Sequence, residues 1–145
     1  MRGSDYAGRR LAPGAALLVL LVGAGCSGEP AVVKVSGKVT HNGKPVPGLF
    51  LNFEPEKGRP SWAITDKEGR FTLSCFEDND GAVVGAHRVY VSIKDEGQEE
   101  MRKYRSEVLT DKEIQTILKK YGKYETTPLR VDISRRTGDL EIKLD

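Results

Sequence analysis

The chain has 145 residues, room for one domain, with 23 Lys and Arg against 21 Asp and Glu. Setting aside residues 1–25 removes Arg2, Arg9, Arg10 and Asp5 and leaves 20 side chains of each sign, so no net positive field favours nucleic acid. Cys75 is the sole thiol after Cys26, which excludes an internal disulfide in the remainder and leaves the hydrophobic core to hold the fold.

The N-terminus has the layout of a secretory signal. Arg2, Arg9 and Arg10 precede an apolar run from Ala15 to Val22, and the small residues Gly23, Ala24 and Gly25 lead to Cys26. An ordinary cleaved signal or a membrane-spanning anchor would begin in the same way, but the run is shorter than the roughly 20 apolar residues a span takes. Residues 26–31 read as a short polar tether containing Pro30.

From Val32 the pattern changes to short alternating runs bounded by turn residues, as in an all-β sandwich. Strands are expected over Val32–Thr40, Leu49–Glu54, Ser61–Thr65, Arg70–Cys75 and Ala86–Lys94. Val35, Gly37 and Val39 share one phase, and Leu49, Leu51 and Phe53 another run of the same kind. Asn42-Gly43 supplies the positive φ angles of a tight reversal. In Thr65-Asp66-Lys67-Glu68-Gly69, Asp66 can close an Asx turn and Gly69 can take the left-handed position. Trp62, the only tryptophan, shares its phase with Ile64 and is expected as a core anchor. Were it exposed beside Phe50 or Tyr90, a sugar platform would be the better reading.

The acidic run Glu77-Asp78-Asn79-Asp80-Gly81 invites a calcium reading through Asp78 and Asp80, but Phe76 stands where a further ligand is wanted and no distal Glu follows. It is read as an acidic turn. The strand Ala86–Lys94 places His87, Val89, Val91 and Ile93 on one face and Arg88, Tyr90 and Ser92 on the other, and is expected to be central. His87 is expected as a hydrogen-bonded residue at the sandwich edge or corner, and His41 as exposed. Between Asp95 and Gly122 one short helix is expected near 110–121. Thr110 and Glu113 form its capping box and Leu109 staples to Ile114, while Met101, Tyr104 and Val108 allow a weaker helical turn upstream. Leu129–Ile133 and Leu140–Leu144, around Arg135-Arg136-Thr137-Gly138-Asp139, read as a closing hairpin.

Three stretches, Val35 to Gly48 (VSGKVTHNGKPVPG), Thr65 to Phe71 (TDKEGRF) and Gly85 to Val91 (GAHRVYV), together resemble the carboxypeptidase regulatory-like, or transthyretin-like, β-sandwich family. The resemblance implies a seven-stranded Greek-key sandwich over residues 32–145, often carried by bacterial envelope lipoproteins, and implies no catalysis. Two positions depart from the family pattern: His87 where Tyr is common and Val84 where Pro usually precedes the glycine. Cys26 resembles the lipobox cysteine of such lipoproteins, whose thiol is diacylated. Ser27 resembles the class sorted to the outer membrane.

Enzymes on related folds use residues this chain lacks. It ends Glu141-Ile142-Lys143-Leu144-Asp145 where the purine-pathway hydrolases end Tyr-Arg-Gly-Ser, and it has only 2 His for an iron site that takes two His and two Tyr. The expectation is a non-enzymatic, lipid-anchored envelope module without cofactor or metal, working through protein or polymer contacts or as a glycan- or peptide-binding module. Trp62, Tyr104 and Tyr121 are its candidate surface aromatics. Expressed in a bacterial host, the chain should fractionate with membranes and carry a lipid-sized mass increment, at about 0.8 kcal/mol of anchoring per buried methylene. Both should vanish in Cys26→Ser, as read by intact mass and fractionation.

Overall fold

The computed structural model describes residues 28, 30–94 and 96–145. Residues 1–25 and Cys26, read above as leader and lipid-bearing cysteine, lie outside the described residues. No described helix is long and apolar enough to cross a membrane.

In chain order the elements are β1 (Val32–Val33), β2 (Ser36–His41), β3 (Lys44–Pro45), β4 (Phe50–Pro55), β5 (Ser61–Ile64), β6 (Arg70–Thr72), β7 (Ala82–Val83) and β8 (Gly85–Ser92). Helices α1 (Glu99–Val108) and α2 (Asp111–Tyr121) follow, then β9 (Arg130–Ile133) and β10 (Asp139–Lys143). One four-stranded sheet runs β5-β4-β8-β9; the other sets β10 on one side of β2 and β3 and β6 on the other. A small ribbon joins β1 to β7. Among the described residues the protein is thus mostly β with two helices, and its sheets share one core in a manner consistent with a β-sandwich. Leu51, Phe53, Val89 and Val91 meet Val39 and Phe71 there, and the Phe53 and Phe71 rings lie 6.2 Å apart. The inward phases expected of β2, β4 and β8 are those observed, and β8 is central as expected.

The local turn chemistry also stands as read. Asn42 and Gly43 have φ of 48° and 78°. The Asp66 carboxylate accepts from the N–H groups of Glu68 and Arg70 at 2.9 and 2.8 Å, and Gly69 has φ of 74°. At the N-terminus of α2 the Thr110 hydroxyl accepts from the Glu113 N–H at 3.3 Å, while the Glu113 carboxylate accepts from the Thr110 N–H at 2.7 Å.

The long-range pairing of the last two strands differs from expectation. They are not a hairpin: β9 pairs antiparallel with β8, whereas β10 crosses to the other sheet and runs parallel to β2. This crossing also buries His41, which was expected to be exposed. Leu144 N–H donates to Thr40 O, and His41 Nδ1 lies 2.5 Å from Leu144 O, leaving the ring 5% exposed. His87 is hydrogen-bonded as expected, Nε2–H donating to Val83 O at 2.8 Å, but it sits on the inner face of a central strand at 1% exposure rather than at an edge.

The segment before α2 is a full helix, not a weak turn, so two helices stand where one short one was expected. A buried cation fixes it: Arg105 is 3% exposed and donates to Gly48 O at 3.0 Å. Gly48, at φ 63°, leaves room for this approach, since a Cβ there would come within 2.7 Å of Met101 Cβ. Lys44 reaches Glu113, and the Tyr121 hydroxyl donates to Asp145 O at 2.7 Å. The helices therefore close the end of the sandwich where β2 and β10 finish, and the ribbon carrying the N-terminal chain lies at the other. There Gly81 is obligatory: at φ 115° a Cβ would fall 1.8 Å from Val33 O.

Glu113 is held down to about 2, first by the Thr110 N–H, then by the Lys44 ammonium and the Thr110 hydroxyl. A depressed carboxylate contributes stability that is complete above its unfolded value of 4.5 and is lost as pH falls through about 2. Glu113→Gln keeps the capping geometry but cannot titrate. Its thermal midpoint should therefore fall less than the native chain's between about pH 5 and about pH 2, measured by circular dichroism.

Candidate functional site

The pleat sends alternate side chains of β4, β5 and β8 away from the core, and register lines them up in rows. One row reads Ile64, Phe50, Ser92; the next reads Trp62, Asn52, Tyr90; the third includes Glu54, Arg88 and Arg130. Large aromatic side chains thus stand on the solvent face of the four-stranded sheet, where alternation alone would have polar ones.

Trp62 is 43% exposed, which corrects the expected core position. The cause lies across the ladder. Ser61 pairs with Phe53 and Ala63 with Leu51, so the inward side of β5 has space for small residues only. The opposite phase must take Trp62 and Ile64. Outside, the indole stacks on Phe50 with ring centroids 5.7 Å apart and planes 5° from parallel. Lys94 Nζ lies 3.8 Å from the Phe50 centroid, adding a cation–π contact.

Across the face, Tyr90 meets Tyr124 edge-on at 6.0 Å, and the Arg88 guanidinium lies 4.6 Å from the Tyr124 centroid. Arg88 also donates to Tyr124 O at 3.2 Å. Burial, and after it the charges of Glu54 and Glu125, raises the Tyr90 hydroxyl above the usual phenol range, so it remains a proton donor at neutral pH. Between Trp62 and Tyr90 sits Asn52, whose side chain carries both a donor and an acceptor. Beside Trp62 the sheet edge drops into an open groove of about 550 Å³ between β5 and β6, with Arg70, Thr72, Asp78 and Asn79 on its walls.

The other expected surface aromatics do not join this site. Tyr104 lies on α1, half-buried, with Lys67 Nζ 4.3 Å from its ring centroid. Tyr121 is 4% exposed and anchors the C-terminal residue, so it is a packing residue and not a surface one. Asp80 and Asp78 do not act together either. Burial works against ionisation of Asp80, but the N–H groups of Cys75, Phe76 and Glu77 donate to its carboxylate and hold it below the usual range. That carboxylate closes its own loop, while Asp78 faces the groove. Cys75 is buried, with Sγ toward Arg59 O.

Phe50 and Tyr90 are the neighbours named for an exposed Trp62, and the inward phase of Leu49, Leu51 and Phe53 already pointed Phe50 outward, whereas Tyr124 and Lys94 were not singled out for this face. Comparison with models of known protein families, with curated proteins and with solved structures finds no match.

As the sole tryptophan, Trp62 reports directly on this face. Its fluorescence should show an indole in contact with water and be quenched by acrylamide without unfolding. A blue-shifted, unquenched spectrum would place it in the core instead.

Proposed function

We propose that this chain is a non-catalytic, lipid-anchored module of a bacterial cell envelope that binds a glycan on the outer face of its four-stranded sheet. The observation that carries the reading is Trp62, exposed and stacked on Phe50 in a row that continues through Asn52 to Tyr90. A pyranose ring has apolar C–H faces and a rim of hydroxyls. Its C–H groups are drawn to the electron-rich face of an indole or phenol, and its rim needs donors and acceptors between the rings. Aromatic rings with an amide between them answer both needs, and a groove lined by hydrogen-bonding side chains adjoins them.

A transthyretin-like, carboxypeptidase regulatory-like Greek key is part of the proposal. It is supported by the turn motifs and by the seven strands of three residues or more among the described residues: β2, β6 and β10 in one sheet, β4, β5, β8 and β9 in the other. A non-catalytic role is supported by the composition of the face, whose groups around Trp62 are aromatic, amide and ammonium and suit binding. The lipid anchor and the envelope location are supported by residues 1–26 alone.

The full chain should co-sediment with insoluble β-1,4-linked glycans such as chitin or purified peptidoglycan. Trp62→Ala should weaken this about tenfold, the scale of one lost aromatic contact, while Tyr104→Ala, away from the face, should leave it unchanged. Equal retention of the native chain and Trp62→Ala would overturn the reading.

A further inference from the structure

The hairpin of β5 and β6 is closed at both ends and open in the middle. At one end Trp62 and Ser74 exchange two backbone hydrogen bonds of 2.9 Å. At the other, Asp66 N–H donates to Arg70 O at 2.9 Å and the Asp66 carboxylate takes the Arg70 N–H. Ile64 and Thr72 are the next pair in this register, yet β5 and β6 form no ladder there and the bridge between Trp62 and Ser74 stands isolated.

The opening follows from sheet membership. Ile64 is paired with Phe50 in one sheet and Thr72 with Ser36 in the other, so the two strands diverge between their clamped ends. In an antiparallel ladder each residue turns both of its backbone groups to the same side. Thr65 N–H bonds to Leu49 O, and Leu73 N–H bonds to Val35 O. Ile64 and Thr72, one position along, therefore turn their N–H and C=O groups away from those neighbours and toward the opening. The opening lies in the groove beside Trp62.

We propose that this groove is a polar subsite for the sugar unit following the one stacked on Trp62, with ring hydroxyls bonding to the backbone groups that Ile64 and Thr72 turn into the opening. This rests on the glycan reading above and adds to it a position, a direction and a minimum length. A vicinal diol both donates and accepts, as facing N–H and C=O groups require, and it displaces water without leaving those groups unpaired. Arg70, which makes no ion pair among the described residues, stands on the walls with Asp66 and Asp78, one basic side chain with two acidic ones. A neutral sugar suits such a lining, whereas a polyanion would meet two carboxylates.

The length follows from strand spacing. Trp62 and Tyr90 are two strands apart in one row, about 10 Å, which is close to the span of a disaccharide. In a β-1,4-linked chain every second ring presents the same face, so two platforms at that distance accept an extended chain lying across the strands. A unit beyond Trp62 passes over the edge strand into the groove. The full site is therefore filled only by an oligosaccharide longer than a disaccharide.

The test is a calorimetric and amide-NMR titration of the purified full chain with chito-oligosaccharides of two to about five units. Affinity should rise about tenfold beyond the disaccharide, the return on one or two added hydrogen bonds. The amide signals of Ile64 and Thr72 should move further with the longer ligands than with chitobiose. In Arg70→Ala, whose backbone turn bond to Asp66 is retained, the gain with length should shrink. Trp62-dependent binding with no gain in length, or with Ile64 and Thr72 unmoved, overturns the groove assignment and leaves the face reading intact. Absence of Trp62-dependent binding at every length overturns both.

Discussion

The parallel pairing of β10 with β2 is the constraint on which the rest of this structure depends. It forces the chain to leave one sheet after β9 and enter the other, binding the sheets together through the Ser134 to Gly138 turn. It also sets Leu144 against His41 and brings Asp145 within reach of Tyr121 at the end of α2. The helices, the C-terminus and the Asn42-Gly43 turn thus support one another at a single end of the sandwich. Ordering that end leaves β5 and β6 as the neighbouring edges of two different sheets, and so creates the divergence in which the groove lies.

What could be read from the sequence follows the range of the interaction responsible. The turns at Asn42-Gly43 and Asp66 to Gly69 and the capping box at Thr110 and Glu113 are decided within about five residues, and all three stand as read. The faces of β4 and β8 were equally plain, because their bulky residues occupy one phase. β5 was not, because Ser61-Trp62-Ala63-Ile64 offers large apolar residues in one phase and small ones in the other. Choosing between them requires knowing that Phe53 and Leu51 stand opposite and already fill the space, which is a fact about β4. His41 and the β9–β10 connection were misread for a similar reason, since their partners lie about a hundred residues away in the chain. α1 was underestimated because its fixed point is a buried arginine on a carbonyl and not an apolar stripe.

The misreading of Trp62 bears on function. A tryptophan excluded from the core by volume could be replaced by a polar residue without loss of packing, and exposed aromatic area is a liability for association. Here it is instead stacked on Phe50, whose own ring Lys94 covers. An immobilised ring loses little further entropy when a ligand stacks on it, so rigid aromatic anchors are efficient in binding. Tyr90 is restrained in the same way by Tyr124 and Arg88. Ring contacts at both ends of one row set these residues apart from singly exposed apolar side chains.

The position of the N-terminal chain gives this surface an orientation. Val84 N–H bonds to Ala31 O and the β1–β7 ribbon holds Val32 and Val33, so Ala31 lies at the end of the sheets opposite the helices. The strands run between those two ends. If Cys26 carries lipid, the handful of residues from 26 to 31 keeps the ribbon end near the bilayer and the helical end away from it. A row such as Trp62, Asn52, Tyr90 crosses the strands, and under the proposed anchoring it would lie along the membrane plane. A polymer layer parallel to that membrane would meet the row lengthwise, bringing successive sugar units to Tyr90, Trp62 and the groove without bending the chain. The same geometry disfavours a partner approaching end-on, which would meet the helices first.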